Sequence, residues 1–400
     1  MSEWTKVKLG DVCQIIDGDR GKNYPKNHEF FGSGYCLFLN TGNVTKEGFS
    51  FTNNQFITKE KDELLRKGKI KRGDLILTTR GTVGNIAYYT NHIKYENVRI
   101  NSGMVILRVN KENVDASFLY QLVRSKESRT YINSFCTGSA QPQLPIKNLS
   151  QICFEIPSLS TQHRIATILS RYDSLIENYQ KQIKLLEEAA QRLYKEWFVD
   201  LRFPGHENTK IVDGVPEGWE KKKLVDMVDV QYGYAFDGKM FNSNSEGMPI
   251  LRIRNIPDGI TSDYTTEEAQ DCYIVHNGDI VIGMDGIFHI NSWSGGDAYL
   301  VQRACSFRPK EECMKGFIFQ AIQEPIKFFE KTLVGATVAH LGKKHIDSIE
   351  LCIPKNFELY KPFSKFYNQR QGLLSQIRLL TEARDRLLPK LMSGEINVES

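Results

Sequence analysis

Long hydrophobic runs, paired cysteine motifs and a secretory signal are all missing from this sequence of 400 residues. No stretch approaches about 18 consecutive apolar residues, so we expect no membrane-spanning helix. The first residues contain no apolar segment of the kind that directs secretion. The eight cysteines are scattered without a C-x-x-C pair, which favours reduced thiols in a cytoplasmic protein over disulfides or zinc.

Motifs of the common enzyme classes are absent as well. The sequence contains no phosphate-binding P-loop, no zinc-protease or serine-hydrolase motif and no kinase motif set. The methyltransferase loop Asn-Pro-Pro-aromatic is missing, because the segment at Asn255 contains a single proline. His340 and His345 lie five residues apart without another ligand type at a suitable spacing, so we expect no metal site. The search for catalytic motifs therefore identifies none of these enzyme classes in the chain.

Four motifs occur twice in the same order, which indicates an internal duplication. The second occurrences follow the first by 215, 205, 197 and 197 residues. The pairs are Trp4–Leu9 with Trp219–Leu224, Ile70–Leu77 with Val275–Ile282, Thr137–Leu144 with Val334–Leu341, and the segments that end at Pro157 and Pro354. Because four short motifs rarely agree in order by chance, the sequence predicts one unit of roughly 200 residues present twice.

Each copy continues into a long heptad pattern, in which apolar residues alternate in steps of four and three. In the first copy this seam comprises Ile165, Leu169, Tyr172, Ile176, Tyr179, Ile183, Leu186, Ala190, Leu193 and Trp197. In the second copy it comprises Phe363, Phe366, Leu373, Ile377, Leu380, Leu387 and Leu391, interrupted by Arg370 and Arg384. The two arginines either reach past the edge of the seam or contact a partner. Two long helices packed antiparallel would bury both seams, and two independent helical hairpins are the alternative.

The remaining segments alternate apolar runs with turn residues, which predicts mixed α/β domains. Strands are expected at 74–79, 104–109, 152–156, 279–283 and 349–353, and short helices at 118–125 and 317–324. The predicted fold class is α/β, with two similar mixed α/β domains related by pseudo-twofold symmetry and separated by two long antiparallel helices that form a coiled coil. The expected segments are 1–157, 158–203, 204–354 and 355–400, of which the second and fourth are helical.

Charge is distributed unevenly between the two copies. Residues 1–157 carry a net charge of +7 and residues 204–354 a net charge of −7, whereas the whole chain carries +4. The first domain is basic enough to contact a phosphate backbone. The second suits DNA only if its cations share one face, and its acidic surface also suits contact with another protein. The cations that such a face would use include Arg252, Arg254, Arg303, Lys343 and Lys344.

A rigid spacer with a similar domain at each end fits a ligand that has two half-sites. A first helix of about 57 Å would separate half-sites on duplex DNA by at most about 17 base pairs. Duplex DNA is therefore the ligand that this organisation predicts.

The order of the motifs resembles that of one known family. The chain opens with WTKVKLGDV at Trp4, followed by RGDLILTTRGTVG at Arg72–Gly84, TGSAQPQL at Thr137 and IPSLSTQHRIATILSRYDSLI at Ile156–Ile176. Together these motifs resemble the specificity subunit of type I restriction–modification systems, and the resemblance covers essentially the whole chain. The second copy lacks the Gln-x-x-Ile-Ala core of the last motif. It also has Asp-Gly-Ile at 285–287 where the first has Arg-Gly-Thr at 80–82.

The resemblance implies two target-recognition domains, each followed by a conserved helical region, in a subunit without catalytic activity. Such a subunit binds a bipartite, asymmetric site on double-stranded DNA. It assembles with two DNA methyltransferase subunits and with restriction/translocase subunits. These partners would bind S-adenosylmethionine, ATP and magnesium, and this chain would bind no cofactor. Two alternatives remain open: a two-headed protein-interaction scaffold without DNA contact, and a DNA methyltransferase or nuclease with unrecognised motifs.

Base readout requires hydrogen-bonding side chains on loops that can enter a groove: arginine or lysine for guanine, asparagine or glutamine for adenine. In the first domain the candidates are Asn40, Thr41, Asn43, Thr79, Arg80, Thr82, Ser139, Gln141 and Gln143, with Arg20, Lys22 and Lys26 as phosphate contacts. In the second domain they are Arg252, Arg254, Asn255, Asp285, Thr337, His340, Lys343 and Lys344. Turn formation and ordinary polar surface are the alternative explanation for these residues.

Overall fold

The computed structural model describes residues 4–138, 141–333 and 339–398. The chain forms two compact units. Unit 1 comprises Met1–Ser174 and Thr381–Ser400, and unit 2 comprises Leu175–Leu380. Each long helix contributes one part to each unit.

Each unit is built around a four-stranded antiparallel sheet with the same strand order. In unit 1 the strands in spatial order are Cys13–Asp17, Met104–Val109, Leu75–Thr78 and Ile86–Tyr88. In unit 2 they are Val228–Tyr232, Ala304–Pro309, Ile280–Gly283 and Ile290–Ser292. The duplication in the sequence is thus a duplication of topology. The two inner strands of each sheet are buried except for the last two residues of Met104–Val109 and of Ala304–Pro309, and most of their side chains are apolar.

Smaller sheets flank the central ones. In unit 1 the pairs are Thr5–Lys8 with Cys153–Ile156, Val44–Thr45 with Gly48–Phe49, and Cys36–Leu39 with both Phe56–Ile57 and Val98–Ile100. In unit 2 they are Ile211–Val212 with Val215–Pro216, Trp219–Lys223 with Glu350–Pro354, and a sheet ordered Phe241–Asn242, Tyr264–Thr265, Met248–Leu251, Ala298–Leu300, Ile274–Val275. Both units contain one parallel strand pair at corresponding positions, which extends the likeness beyond the central sheets.

The helices are short apart from the two predicted by the heptads. The short α-helices are Leu9–Val12, Lys59–Leu64, Ala116–Arg124, Lys126–Asn133, Ile146–Gln151, Leu224–Met227, Lys315–Ala321, Gln323–Thr332 and Lys343–Asp347. The first long helix spans Leu159–Tyr194 and continues as a π-helical turn over Lys195–Val199, and the second spans Lys361–Met392. In the part of the chain that the structure describes, none of the helices combines the length and apolarity needed to cross a bilayer.

The halves of the two long helices pack antiparallel within each unit. In unit 1, Arg164 Nη1 donates to the carbonyl of Val398 at 2.9 Å, while Arg384 Nη1 donates to Asp173 at 2.8 Å. From Arg164 to Asp173 the first chain segment advances, while its contact in the second segment moves back from Val398 to Arg384. The two segments therefore run in opposite directions. Unit 2 shows the same direction, because the Tyr194 ring lies 6.3 Å from the Phe363 ring and Glu187 meets Arg370. The paired arrangement is confirmed, and the independent hairpins are not observed.

The two arginines that interrupt the second seam both contact a partner helix. Arg370 Nε donates to Glu187 at 2.6 Å, and its Nη2 donates to Asn291 Oδ1 at 2.8 Å. Arg384 pairs with Asp173, as described above. The seam therefore contains ion pairs at Arg370 and Arg384 and apolar contacts elsewhere. Every predicted apolar seam residue is buried or half-buried.

Two corresponding glycines, Gly18 in unit 1 and Gly233 in unit 2, follow the first strand of their central sheets and allow two segments to approach closely. A Cβ atom on Gly18 would lie 2.1 Å from the carbonyl oxygen of Asn101, and one on Gly233 would lie 2.2 Å from that of Val301. We expect Gly18→Ala and Gly233→Ala each to lower the free energy of unfolding by about 1–3 kcal/mol, because a backbone segment must shift. Urea denaturation of the full chain measures this loss.

Two exposed glycines provide the control for these substitutions. Neither Gly32 nor Gly238 has an atom within 4 Å of an added Cβ, and neither has a positive φ. Alanine at these positions should leave the urea midpoint nearly unchanged. Equal losses at all four positions would contradict the argument from close approach.

Candidate nucleic-acid interface

Three loops of unit 1 meet at one end of the central sheet. The carbonyl oxygen of Gly103 accepts from the backbone N–H of Thr79 at 2.8 Å and of Arg80 at 3.2 Å. Leu144 N–H in turn donates to the carbonyl of Thr79 at 2.9 Å. The turn before Met104–Val109, the loop after Leu75–Thr78 and the segment that precedes Ile146–Gln151 are therefore fixed to one another by main-chain hydrogen bonds.

Polar side chains project from this loop framework. Arg80 and Gln143 occupy one antiparallel bridge, and both are exposed. Thr41 lies beside them, since a Cβ on Gly103 would lie 2.8 Å from Thr41 Cγ2 and 3.8 Å from Arg80 Cβ. Arg20 reaches the same turn, donating to the carbonyl of Ser102 at 3.2 Å. We call this set interface 1: Arg20, Thr41, Arg80, Thr82, Gln141 and Gln143, all exposed except the half-buried Thr41.

Three candidates of unit 1 shape the loops instead of projecting from them. Asn43 is 2% exposed, and its amide donates to two backbone carbonyls and accepts from Asn40 N–H at 2.9 Å. Thr79 is 3% exposed and donates its hydroxyl to the carbonyl of Gly103. Asn40 accepts from Gly42 N–H at 2.8 Å and so caps the turn Thr41–Asn43. These contacts correct our interpretation of Asn43 and Thr79, which lack the free polar atoms that base readout needs. Ser139 lies outside the described residues.

One further cation, Arg66, lies beside the basic loop at residues 17–26, and the sequence pattern did not indicate it. Lys22 and Lys26 are exposed, as phosphate contacts must be. A Cβ on Gly21 would lie 2.8 Å from Arg66 Nη2, and Arg66 N–H donates to the buried Asp19 at 2.8 Å. Arg66 therefore joins this loop although it lies about 45 positions away in sequence. Only the contact through Asp19 could have indicated it.

Unit 2 repeats the loop framework with different side chains. Met284 N–H donates to the carbonyl of Arg303 at 2.8 Å, and Leu341 N–H donates to the carbonyl of Met284 at 2.7 Å. Asp285 and His340 form the antiparallel bridge that Arg80 and Gln143 form in unit 1. The main chain is thus organised alike in the two units, whereas the groups presented to a ligand differ.

An ion-paired carboxylate lies at the centre of the unit 2 loops. Arg303 Nη1 and His340 Nδ1 each lie 2.5 Å from one oxygen of Asp285. The Asp285 side chain is 14% exposed, whereas those of Arg303 and His340 are 68% and 59% exposed. Burial alone would raise the pKa of Asp285, but the hydrogen bonds from His340 and Arg303 hold it below its ordinary value. Asp285 is therefore an anion that two exposed donors share.

The other candidates of unit 2 make contacts of their own. Asn255 accepts from Arg252 N–H at 2.9 Å and so repeats the turn-forming role of Asn43. The Arg252 guanidinium lies 5.3 Å from the centre of the Phe241 ring, and Arg254 Nη2 pairs with Asp263 at 2.6 Å. Lys343 and Lys344 are exposed in the first turn of Lys343–Asp347. Thr337 lies outside the described residues.

The described loops of neither unit have the composition of a metal centre. Across 4–138, 141–333 and 339–398, no three His, Cys, Asp or Glu side chains come together in a way that could hold a metal ion. His340 is engaged by Asp285, and the ring of His345 accepts from Gly342 N–H at 3.0 Å. The chemistry that these loops offer is hydrogen bonding and charge.

Comparison with known proteins agrees with this chemistry. Residues 1–188 and 216–378 match the family described as type I restriction modification DNA specificity domain. The type I restriction enzyme MjaIX specificity subunit of Methanocaldococcus jannaschii is 28% identical, over 99% of this chain and 94% of that protein. The HindI specificity subunit of Haemophilus influenzae is 23% identical, over 99% and 100%.

A solved structure shows the same fold. The S subunit of the type I restriction–modification system from M. genitalium superposes with a TM-score of 0.57 at 16% sequence identity, covering 98% of this chain and 96% of that one. The family match covers most of the chain in two segments, one for each copy of the duplication. The chain therefore belongs to the type I restriction–modification DNA specificity family, as a DNA-recognition subunit that is not catalytic.

Proposed function

We propose that this chain binds a bipartite, asymmetric DNA site, with each unit reading one half. The observation that carries the proposal is the repeated loop framework with exchanged side chains. Main-chain bonds from Thr79 and Leu144 in unit 1 correspond to those from Met284 and Leu341 in unit 2. A common framework presents both units to DNA in a similar manner, and different side chains let them read different sequences.

Charge on the loops supports backbone contact in both units. In unit 1, Arg20, Lys22, Lys26 and Arg66 lie on or beside one loop. In unit 2, Lys343 and Lys344 are exposed despite the net negative charge of this part of the chain. Lysine and arginine that neutralise phosphates release counterions, so affinity for DNA should fall steeply as salt is added.

We also propose that the long helices carry the partner subunits. In unit 2 both helices line an open groove, formed by Gln182, Leu185, Leu186, Gln369, Gly372, Leu373 and Gln376. Leu185 is 65% exposed there, and an exposed apolar side chain on a rigid helix pair suits a protein partner. The partner we assign is one of two DNA methyltransferase subunits, with restriction/translocase subunits completing a cytoplasmic complex. S-adenosylmethionine, ATP and magnesium would then belong to those partners.

The decisive experiment maps adenine methylation in cells that express this chain with its cognate methyltransferase. Cells that lack only this chain are the control. We expect one split, asymmetric motif to lose its methylation in the control cells. If the methyltransferase co-purifies with the chain but no motif changes, the chain is a scaffold and the proposal is wrong. Methylation of the same motif by the purified chain alone would instead support an unrecognised enzyme.

Helix length should set the distance between the two halves of the site. Residues 180–186 and 371–377 lie opposite each other in unit 2, next to the Glu187–Arg370 pair. Deleting both segments removes one heptad from each helix, which preserves the seam and shortens the spacer by about 10 Å. We expect the methylated motif to lose about three base pairs of spacer while both half-sites stay unchanged.

Inserting one heptad at the same two positions is the matched control, and it should lengthen the spacer by about the same amount. The full complex is used for both variants, because methylation reports the spacer directly. A change in the sequence of either half-site, with the spacer kept, would contradict the role of the helices as a ruler.

A further inference from the structure

Arg303 has an unusual backbone conformation at the centre of the unit 2 loops. Its φ is +70°, in the left-handed region that side chains other than glycine rarely adopt. The residue at the corresponding turn of unit 1 is Gly103, which precedes the strand Met104–Val109 as Arg303 precedes Ala304–Pro309. A strained residue persists where its surroundings hold it, and such positions cluster at functional sites.

The exposed arginine at this junction comes from different loops in the two units: Arg80 in unit 1 and Arg303 in unit 2. In unit 1, Arg80 follows the inner strand Leu75–Thr78, and the turn opposite has no side chain at Gly103. In unit 2, the position of Arg80 is taken by Asp285, and the turn opposite supplies Arg303. Met284 N–H donates to the carbonyl of Arg303 as Thr79 N–H donates to that of Gly103. Arg80 and Arg303 therefore project from equivalent points of the main chain in the two units.

The contacts of Asp285 make it an orienting group and not a base reader. Each of its two oxygens already accepts a hydrogen bond, one from Arg303 and one from His340. A carboxylate that reads cytosine must also expose an oxygen to the exocyclic amine, and the Asp285 side chain is only 14% exposed. Asp285 instead fixes Nη1 of Arg303, while the rest of this largely exposed guanidinium stays available.

A guanidinium held in this way matches one base in the major groove. Guanine presents two adjacent acceptors, O6 and N7, which two guanidinium N–H groups can bind together. Adenine and thymine each present one acceptor beside an amine or a methyl group, and cytosine presents a donor. Orientation by a carboxylate reduces the conformational freedom that such a bidentate contact must remove.

Resting on the proposed function, we propose that Arg303 reads a guanine in the half-site bound by unit 2, with Asp285 and His340 as positioning residues. The sequence placed Arg303 among the cations of a possible DNA-binding face but not among the base readers, because a surface arginine in a turn has no sequence signature of base readout. What distinguishes Arg303 from other surface arginines is its hydrogen bond to Asp285, 18 positions earlier in the sequence. The same carboxylate is bound by His340, 37 positions after Arg303.

Arg303→Gly tests the proposal without threatening the fold, because glycine tolerates the positive φ. The variant is assembled with its methyltransferase, and the methylated motif is compared with that of the wild-type complex. We expect one G·C position in one half-site to lose about 10- to 100-fold of its discrimination. Arg80→Ala in the same assay should alter only the other half-site, which identifies the half that unit 2 binds.

Asp285→Asn and His276→Ala complete the test. Asp285→Asn should weaken discrimination at the same G·C position, since an amide orients the guanidinium less firmly. His276 forms an exposed pair with Asp297 beyond the opposite end of the strand Ile280–Gly283, and His276→Ala should leave the motif unchanged.

The inference is wrong if Arg303→Gly leaves the motif intact or relaxes a position that is not G·C. It is equally wrong if methylation falls uniformly at every site, because that result indicates a phosphate contact. A wild-type complex that methylates no split motif would overturn the proposed function itself, and this inference with it.

Discussion

Replacing Asp62 by alanine should lower the free energy of unfolding by about 3–5 kcal/mol, the loss expected when one partner of a buried ion pair is removed. The Asp62 side chain is 2% exposed and accepts from Arg99 Nε at 2.5 Å and from Lys69 Nζ at 2.6 Å. Arg99 is 6% exposed, so the substitution leaves a buried guanidinium without its counter-charge.

The Asp62–Arg99 ion pair also fixes the strand that leads to interface 1. Arg99 belongs to the strand Val98–Ile100, which leads directly into the turn that contains Gly103. Its Nη1 donates to the carbonyl of Lys67 at 2.7 Å, next to Arg66, which lies beside the basic loop that contains Arg20. We therefore expect DNA affinity to fall together with stability in the Asp62 variant.

The measurement is urea denaturation of the full chain, with Glu63→Ala as the matched control. Glu63 is the next residue of the same helix, is 65% exposed and lies 4.0 Å from Lys59. Its loss should cost less than about 1 kcal/mol. Asp62→Ala combined with Arg99→Leu should recover part of the stability, because the unpaired charge is gone. Equal stability of the Asp62 and Glu63 variants would refute the buried-pair argument.

Local sequence patterns predicted most of the inner strands of the central sheets. The run at 104–109 is the strand Met104–Val109, and the runs at 74–79 and 279–283 contain Leu75–Thr78 and Ile280–Gly283. The strand Ala304–Pro309 of the second central sheet was not predicted. The predicted strands are apolar and bounded by turn residues, which is the signal that local reasoning detects. The helix expected at 317–324 is instead divided between Lys315–Ala321 and Gln323–Thr332, a difference too fine for periodicity.

The ionic contacts could not be predicted in this way. Asp62 and Arg99 are 37 positions apart, and Arg370 and Glu187 are 183 apart. Periodicity describes which face of an element is buried, but it does not say which charge meets which. The heptads indicated that Arg370 and Arg384 were exceptional, and only the packed helices show the acids that accept them.

The interface illustrates the same limit. Loops were chosen for their polar residues and strand-end positions, and this reasoning selected Arg80 and Gln143, which form one bridge and are both exposed. It could not separate Asn43, whose amide is consumed by its own turn, from residues that project to solvent. Polar residues in turns serve both purposes, so burial and hydrogen bonding must decide between them.

The second large effect is expected at Asp173, which joins three elements of unit 1. Its carboxylate accepts from Gln121 Nε2 at 2.6 Å, from Arg124 Nη1 at 2.9 Å and from Arg384 Nη1 at 2.8 Å. Gln121 and Arg124 belong to the helix Ala116–Arg124, whereas Asp173 and Arg384 belong to the two long helices. One anion therefore connects the helix Ala116–Arg124 to both long helices in this unit.

Asp173→Asn should lower the free energy of unfolding by about 3 kcal/mol. The neutral amide cannot balance Arg124 and Arg384, whose side chains are 9% and 13% exposed. Asp385→Asn is the matched control, because Asp385 also pairs with Arg384 at 2.8 Å but is 59% exposed. We expect the control to lose less than about 1 kcal/mol.

The pH dependence of this loss identifies its electrostatic origin. Burial alone would raise the pKa of Asp173, but Arg124, Gln121 and Arg384 hold it below its ordinary value. A carboxyl whose pKa is lower in the folded protein stabilises the fold above its unfolded pKa of about 4, and this contribution disappears as pH falls through the folded pKa. The wild type and Asp173→Asn should therefore differ most near pH 7 and converge below about pH 4. A difference that stays constant down to about pH 3 would show that packing around Asp173, and not its charge, joins the helix Ala116–Arg124 to the long helices.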